Sequence, residues 1–208
     1  MVPSEYSEDV NSKLTMLPKD MVDFCEREKM QNYNISALAG MLFYISYLEE
    51  VENVLEIGSG WCLSTISFAA AVRPRNGRVL SFDIHDRSNI LSTVPELNPF
   101  ITQINANSRN TNVTYPLIDK HFEEVDLLFI DGDHTKEGAQ ADLDNYSPLV
   151  KDNGIILFHD IALYDPGKGQ DSIEVCKVWD EVDTSKYNKF PMYASNGLGM
   201  LRKKPTNE

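Results

Sequence analysis

Five short, largely apolar segments, separated by stretches of helical character, constrain the fold of this chain more than any other feature. They are rich in β-branched and aromatic residues. Their near-continuous apolar character is typical of parallel strands that are buried on both faces. The intervening helices would then cover the two faces of one sheet. The predicted strands comprise residues 53–57, 78–82, 100–104, 125–130 and 154–158.

The remaining segments complete an α/β pattern. Helices are predicted at residues 36–48, 63–72, 134–149 and 172–182. The last stretch, residues 190–201, places two strand-like runs around Asn196-Gly197, which is a strong hairpin signal. The sequence therefore predicts a Rossmann-like, doubly wound seven-stranded sheet, mostly parallel, with an antiparallel C-terminal hairpin strand.

Length and charge limit the organisation of the chain and its partners. The 208 residues suit a single domain, predicted over residues 19–208 and preceded by a polar arm of residues 1–18. The net charge of -13 would repel a phosphate backbone, so no nucleic-acid partner is expected. No apolar run has the length of a membrane span and no secretory signal is visible, so a cytoplasmic protein without membrane contact is expected. The helices around residues 21–48 could serve as a homodimer surface.

The end of the first predicted strand carries a glycine-rich turn, Glu56-Ile57-Gly58-Ser59-Gly60. Two glycines one residue apart permit a tight turn and a close approach of the backbone to a ligand. A dinucleotide fingerprint would need a third glycine at position 63, where this chain has Leu63. The Glu56 carboxylate would repel a pyrophosphate but suits a cofactor with a cationic amino-acid moiety. Asp83, which follows the second strand, can accept both hydroxyl hydrogens of a ribose.

The turn and Asp83, taken with the segment DLLFIDGDHTKEGAQADLDNYSPLVKDNGIILFHD over residues 126–160, resemble the class I S-adenosylmethionine-dependent methyltransferases. The segment is most similar to the small-molecule branch that includes the catechol and macrocin O-methyltransferase families. The resemblance implies methyl transfer to a hydroxyl of a small molecule, such as a sugar or a polyketide. It also implies that the cofactor is bound by Glu56, Gly58, Ser59, Gly60, Trp61, Asp83, Asn107, Ser108 and Asp131. At Asn107 the family often has an acidic residue.

A polar cluster is predicted after the fourth and fifth strands, at the edge of the sheet where such folds bind ligands. Three of the four histidines follow predicted strands: His85, His134 and His159. His134 or His159 could act as a general base, with Asp131 as a third catalytic residue. Which histidine is the base stays open.

The same cluster could hold a divalent cation. Metal-dependent members of the resembling families have oxygen ligands here, and Asp131 and Asp160 match them. His159 stands where a further oxygen ligand would be expected, and imidazole suits transition metals better than Mg²⁺. Two interpretations therefore stay open: Asp131 and Asp160 bind a metal ion, or they only position the histidines.

Four other features have local interpretations. Asp133 could cap a helix that starts at His134. Trp61 could pack on the cofactor, whereas Trp179, on an apolar helix face, is predicted to lie in the core. The loop of residues 164–170 is a candidate lid over the acceptor.

Three other functions compete with methyl transfer. An NAD(P)-dependent oxidoreductase would need the third glycine and a Tyr-x-x-x-Lys pair after a suitable strand, and neither is present. A metal-dependent hydrolase built on the histidine and aspartate cluster would leave the glycine turn and Asp83 without a role. A cofactor-binding sensor domain would not need that cluster.

Overall fold

The computed structural model describes residue 19 and residues 33–167, 172–193 and 196–206. Within these ranges the chain forms one sheet of seven strands with helices on both faces. The predicted arm, residues 1–18, and residues 21–32 of the predicted dimer surface lie outside the described residues. The predicted lid is described only from 164 to 167.

Strands and helices alternate along most of the described chain. The strands are β1 (Asn53–Ile57), β2 (Arg78–Asp83), β3 (Ile101–Asn105), β4 (Val125–Ile130), β5 (Val150–His159), β6 (Tyr187–Met192) and β7 (Leu198–Lys203). The helices are α1 (Tyr33–Leu48), α2 (Leu63–Val72), α3 (Ser88–Leu91), α4 (Thr111–His121), α5 (Lys136–Tyr146) and α6 (Val175–Glu181). None of these helices combines the length and the apolar character that a membrane span requires.

The strand order, β3-β2-β1-β4-β5-β7-β6, is that of a doubly wound sheet. Strands β1 to β5 are parallel, and β7 lies antiparallel between β5 and β6. Asn196 and Gly197, in the connection between β6 and β7, have φ values of +64° and +92°, as the hairpin signal predicts. The predicted fold is therefore confirmed, including the antiparallel strand at the C-terminal end.

Alternate residues of the central strands enter two separate cores, one on each face of the sheet. Leu127 and Phe129 of β4 pack with α1 and α2, whereas Leu128 and Ile130 pack with α4, α5 and α6. Each of these four side chains is almost fully buried. Burial on both faces is the physical reason why the strand segments are nearly continuously apolar. Trp179 of α6 is 5% exposed and packs in the second core, as predicted.

Departures from the predicted elements include those at α4, α5 and β5. Helix α4 was not predicted, because Pro116 and several polar and β-branched residues disfavour a helix in isolation. Helix α5 begins at Lys136 rather than His134, since the Thr135 hydroxyl caps it by accepting a hydrogen bond from the Gly138 amide at 3.0 Å. Strand β5 extends back to Val150, four residues before the predicted start.

The order of the strands places the ends of β1 and β4 side by side. The chain runs outward from β1 to β3 on one side and from β4 to β6 on the other, so the connections diverge between β1 and β4. The pairing continues past the strands, because the Asp131 amide donates to the Ile57 carbonyl at 2.9 Å. This divergence point is where open α/β sheets bind ligands.

Candidate functional site

Two glycines with left-handed backbone conformations shape the turn after β1. Gly58 has a φ of +90° and Gly60 a φ of +49°, which residues with a Cβ adopt only under strain. A Cβ on Gly58 would lie 2.1 Å from the carbonyl oxygen of Asp131, whereas a Cβ on Gly60 would meet nothing within 4 Å. Gly58 is therefore required by its packing against the end of β4, and Gly60 leaves open space beside the turn.

Asp83, the last residue of β2, binds this turn from the side. Its Oδ2 accepts hydrogen bonds from the amides of Ser59 at 3.1 Å and Gly60 at 3.0 Å. Its Oδ1 accepts one from the His85 amide at 2.7 Å and lies 3.5 Å from the Arg87 guanidinium. Burial opposes ionisation, but these donors outweigh it and hold the pKa of Asp83 below its usual value. An ionised and oriented carboxylate therefore lies beside the turn.

Glu56 of β1 is completely buried. Its Oε2 accepts hydrogen bonds from the hydroxyls of Thr65 at 2.6 Å and Ser81 at 2.5 Å. Its Oε1 is also buried and has no hydrogen-bond partner among the described residues. Burial raises the pKa of this carboxyl to about 7 in spite of the hydroxyl donors. Because it has no exposed surface, Glu56 can influence a ligand in this conformation only through its charge.

Four of the predicted side chains meet after β4 and β5. His134 Nε2 lies 3.1 Å from Asp131 Oδ1, and His159 Nδ1 lies 3.2 Å from the same oxygen. Asp160 also lies near both rings. Its Oδ2 is 3.8 Å from His134 Nε2, and its Oδ1 is 3.5 Å from His159 Nδ1. The structure thus brings together Asp131, His134, His159 and Asp160, which are separated by up to 29 positions in the sequence.

The electrostatics of this cluster centre on Asp131. Burial alone would raise the pKa of its carboxyl, but hydrogen bonds with His134 and His159 outweigh burial and keep the pKa below the usual value. The hydrogen bond with Asp131 in turn raises the pKa of His134. Asp131 therefore makes His134 a stronger base and fixes the direction of its ring.

The cluster has the donor set of a metal site. Asp131, His134 and Asp160 each offer one ligand atom, and these atoms lie within 4.8 Å of one another. Asp160 is 4% exposed, and its Oδ1 has no hydrogen-bond partner among the described residues. Its φ of +61° turns the chain sharply at the end of β5. A buried carboxylate oxygen without a donor is a fitting ligand for a cation, and two oxygens with one imidazole suit a divalent transition metal better than Mg²⁺.

The predicted adenine end of the pocket is polar and open. Asn107 is exposed, and its Oδ1 accepts a hydrogen bond from the Arg109 amide at 2.9 Å. The Arg109 guanidinium forms a 2.7 Å ion pair with Asp133 Oδ2 and so connects the loops that follow β3 and β4. Sequence reasoning missed this pair, because 24 positions separate its members and no local pattern relates them.

Two residues, His85 and Asp133, lie elsewhere than the sequence suggested. His85 does not join the cluster; it contacts Asp83 and Arg87, and its side chain is 64% exposed. Asp133 does not cap a helix at His134, because Thr135 caps α5. Trp61 does lie in the glycine turn, but it is 73% exposed and forms no part of either core. The first two predictions are wrong because both depended on where a loop turns after a strand.

Asp142 of α5 is a buried carboxyl that the sequence did not single out. It is 1% exposed, and neither of its carboxylate oxygens has a hydrogen-bond partner among the described residues. A Cβ built on Gly132 would lie 3.4 Å from its Oδ2, so Asp142 lies directly beneath the loop that carries Asp131. Burial, aided by the charge of Asp133, raises the pKa of Asp142 to about 6.

A cleft of about 430 Å³ adjoins the backbone at His134; its described lining includes the neighbouring Asp133 and Thr135 but none of the four side chains of the cluster. Its walls come from the loop after β4, the start of α5 and the residues before α6, and the Glu174 amide donates to the His134 carbonyl at 2.8 Å. The charged lining residues are Arg109, Asp133, Glu137 and Glu174. Pro166 is the one large apolar residue among the described lining. The cleft is therefore suited to a polar ligand.

Residues 55–161 match the model of a protein family described as a methyltransferase domain. An uncharacterised protein, y4gI, of Sinorhizobium fredii is 34% identical over 89 residues, which is 42% of this chain and 9% of that protein. The chain therefore spans less than a tenth of that relative's length.

Solved structures with a similar fold include two of about the same size. One is the O-methyltransferase TomG of Streptomyces achromogenes, which is involved in tomaymycin synthesis and was solved with S-adenosylmethionine. Its TM-score is 0.68 at 15% identity, and the alignment covers 99% of this chain and 100% of TomG. Another is the methyltransferase PaMTH1 of Podospora anserina, which was solved with S-adenosylhomocysteine. Its TM-score is 0.65 at 14% identity, and the alignment covers 99% of each chain.

A third similar structure is MycE, a methyltransferase of mycinamycin biosynthesis, in complex with Mg, S-adenosylhomocysteine and mycinamycin VI. The TM-score is 0.61 at 16% identity, over 91% of this chain and 54% of MycE. At such identities these similarities establish the fold alone.

Proposed function

This chain belongs to the methyltransferase-domain family, and we propose that it transfers a methyl group from S-adenosylmethionine to a hydroxyl oxygen of a small polar molecule. One observation carries the proposal. The glycine turn with Asp83 and the cluster around Asp131 lie at the ends of the neighbouring strands β1 and β4. A donor bound at the turn would therefore present its methyl group to an acceptor beside His134 and His159.

The residues that we propose for cofactor binding surround the turn. The open side of Gly60 admits the methionine part, and the ionised carboxylate of Asp83 accepts the ribose hydroxyls. The adenine would lie towards Asn107 and Ser108, at the end of β3. The full set comprises Glu56, Gly58, Ser59, Gly60, Trp61, Asp83, Asn107, Ser108 and Asp131.

Methyl transfer from a sulfonium is an in-line displacement, so the protein must align the acceptor oxygen and remove its proton. We assign the general base to His134, whose side chain is 35% exposed against 14% for His159. Asp131 orients the His134 ring and stabilises the imidazolium that forms when His134 takes the proton. His159 contacts the same oxygen of Asp131 and would hold that carboxylate in place.

Asp131, His134 and Asp160 are the residues that would hold a divalent cation. Such an ion would lower the pKa of the acceptor hydroxyl and orient its oxygen. MycE was solved with Mg, which supports testing the ion in this chain. A metal-dependent enzyme would lose its turnover after dialysis against EDTA and recover it with Mn²⁺ or Mg²⁺. Unchanged turnover would mean that His134 acts without a metal ion.

The cleft that Asp133 and Thr135 line, next to the cluster in sequence, supports one acceptor class. Its charged and hydroxyl-bearing lining favours a polyhydroxylated acceptor, such as a sugar or a polyketide glycoside, over a flat aromatic one. Among the fold neighbours, TomG is involved in tomaymycin synthesis and MycE was solved with mycinamycin VI, which supports a small-molecule acceptor. The net charge of -13 makes a nucleic-acid acceptor unfavourable.

Calorimetry tests the cofactor directly. We expect the chain to bind S-adenosylhomocysteine and S-adenosylmethionine in the micromolar range and to bind NADH at least a hundredfold more weakly. Transfer of a labelled methyl group to a panel of glycosides and catechols then tests the acceptor class. Binding of NADH without binding of S-adenosylhomocysteine would overturn the assignment.

A further inference from the structure

Among the described residues, Glu56 is contacted by hydroxyl groups and forms no ion pair. The hydroxyls of Thr65 and Ser81 donate to Oε2, and the nearby Ser64 hydroxyl also lowers the pKa of Glu56, but Oε1 is buried with no partner at hydrogen-bond distance among the described residues. An ionised carboxylate that is buried with one oxygen unpaired costs several kcal/mol. With the ligand site empty, the uncharged carboxylic acid is therefore strongly favoured at this position relative to the surface.

The titratable groups that face Glu56 from the neighbouring elements increase this preference. Asp131, after β4, adds a negative charge, and the Cys62 thiol at the start of α2 is uncharged because burial raises its pKa to about 12. Asp83, the last residue of β2, is a further carboxylate near the turn, and Arg87 is directed to it. Since Glu56 forms no ion pair with a described residue, a bound cationic ligand would supply the missing positive charge.

We propose that Glu56 is a specificity-determining residue that distinguishes the methyl donor from its product: S-adenosylmethionine binds with loss of a proton from Glu56 to the solvent, and S-adenosylhomocysteine binds with a much smaller loss. The inference rests on the proposed function, because it requires adenosyl ligands at the glycine turn. The two ligands differ by one positive charge, since transfer of the methyl group converts a sulfonium into a neutral thioether.

The mechanism is electrostatic and does not require contact. A sulfonium about 6 Å from a carboxylate, in a medium of effective dielectric constant about 20, would lower the carboxylate pKa by about two units. Once Glu56 has lost its proton, its negative charge stabilises the donor in the site. After transfer the sulfonium is gone, Glu56 takes a proton from the solvent again, and the product loses that stabilisation. The pocket would thus favour exchange of product for donor.

Calorimetry of both ligands in two buffers of different ionisation enthalpy measures the protons released. We expect S-adenosylmethionine to release a measurable fraction of a proton at pH 7, because burial raises the pKa of Glu56 in the empty site to about 7. For S-adenosylhomocysteine we expect less than half of that value. Between pH 6 and pH 7, below the titration of the ligands' own amino groups, donor affinity should rise about threefold or more and product affinity much less. EDTA in all solutions keeps metal ions from contributing.

Glu56→Gln keeps a hydrogen-bonding group in place but cannot ionise. It should abolish the difference in proton release between the two ligands and bring their affinities closer together. Glu52→Gln, exposed and just before the opposite end of the same strand, is the matched control and should behave like the parent.

Should Glu56→Gln fail to fold, Thr65→Val provides an independent test. This variant removes a donor to the carboxylate and should move the proton release to higher pH. Equal proton release by both ligands in the parent, or an unchanged difference in Glu56→Gln, would overturn the inference. Failure to bind either ligand would instead refute the proposed function.

Discussion

The two halves of the ligand-binding edge are built in different ways. Around the turn after β1, side-chain oxygens are paired with the backbone, as Asp83 is with the amides of Ser59, Gly60 and His85. After β4 and β5, side chains pair with one another, and both His134 and His159 point to a single oxygen of Asp131. The turn is therefore held in place by hydrogen bonds to the main chain, and the cluster by contacts between side chains. In the cluster, Asp160 Oδ1 still has no hydrogen-bond partner among the described residues.

This difference implies different responses to substitution. A change in the turn should act on shape, and through shape on folding and cofactor affinity. A change in the cluster should act on the chemical step and leave the fold almost intact, because three of its four members are partly exposed and their partners are side chains rather than backbone groups. The following predictions test this division, in order of decreasing effect.

The largest effect is expected from Asp131→Asn. Loss of the carboxylate removes the shared acceptor of both histidines, lowers the basicity of His134 and removes a possible metal ligand. We expect turnover to fall about 10²- to 10⁴-fold, with a small change in the free energy of unfolding. Single-turnover transfer of a labelled methyl group measures the loss of turnover, and denaturant unfolding measures the change in the free energy of unfolding. Asp144→Asn, on the exposed face of α5, is the matched control. A large loss of stability in Asp131→Asn would contradict the division.

Gly58→Ala should affect folding first. The added Cβ would lie 2.1 Å from the Asp131 carbonyl at a φ of +90°, so the ends of β1 and β4 would have to separate. We expect the free energy of unfolding to fall by about 3 kcal/mol or more. Gly60→Ala meets no neighbouring atom and should cost only about 1 kcal/mol, while it weakens adenosyl-ligand binding. Equal effects of the two substitutions on stability would show that φ alone determines their cost.

Asp142→Asn tests the buried carboxyl beneath the loop of Asp131. Since burial raises its pKa from 3.8 to about 6, the native state holds a proton that the unfolded state has already lost between these values. The parent should therefore lose stability as pH rises through this window, by about 3 kcal/mol in total.

The amide that Asp142→Asn introduces cannot ionise, so the variant should gain stability relative to the parent as pH rises from about 4 to 7. Denaturant unfolding at several pH values measures this, with Asp144→Asn on the same helix as the control. Parallel pH profiles for parent and variant would mean that Asp142 is paired in solution.

The smallest of these effects is expected from Asp83→Asn. An amide at this position has half the acceptor capacity of the carboxylate and none of its charge. We expect adenosyl-ligand affinity to fall about 10- to 100-fold without loss of the fold. Asp86 is exposed and lies in the loop that follows β2. The control variant Asp86→Asn should therefore bind adenosyl ligands like the parent. Unchanged affinity in Asp83→Asn would remove the ribose assignment and leave the glycine turn as the main determinant of binding.

A large part of the fold was predictable from local patterns. The apolar runs that became β1 and β4, and helix α2 at Leu63–Val72, match the predicted bounds, because burial on both faces leaves a continuous apolar signal. Helix α4 was not predictable in the same way. Its residues have weak helix propensity, and the helix is stabilised by burial of Ile118 in the second core and by the buried hydrogen bond between the hydroxyls of Thr114 and Tyr146. Tertiary contacts outweighed propensity there.

The residues of the candidate site likewise differ in how well local sequence patterns predict their positions. The glycine turn directly follows β1, and Asp83 is the last residue of β2, so a local sequence pattern is sufficient to find them. His85 also follows a strand, yet it lies with Asp83 rather than with the other histidines. Position after a strand places a residue at the correct edge but does not specify which neighbour it faces.

The sequence by itself determined the sheet, the glycine turn and the family of the chain, because these depend on residue type at short and regular spacing. Only the tertiary structure decided that His134 and His159 share one oxygen, that Arg109 pairs with Asp133, and that Glu56 and Asp142 are buried with unpaired oxygens. The physical reason is that hydrogen bonds and burial depend on distances between separate strands and loops. Those distances are set by how the sheet and its two layers of helices pack together.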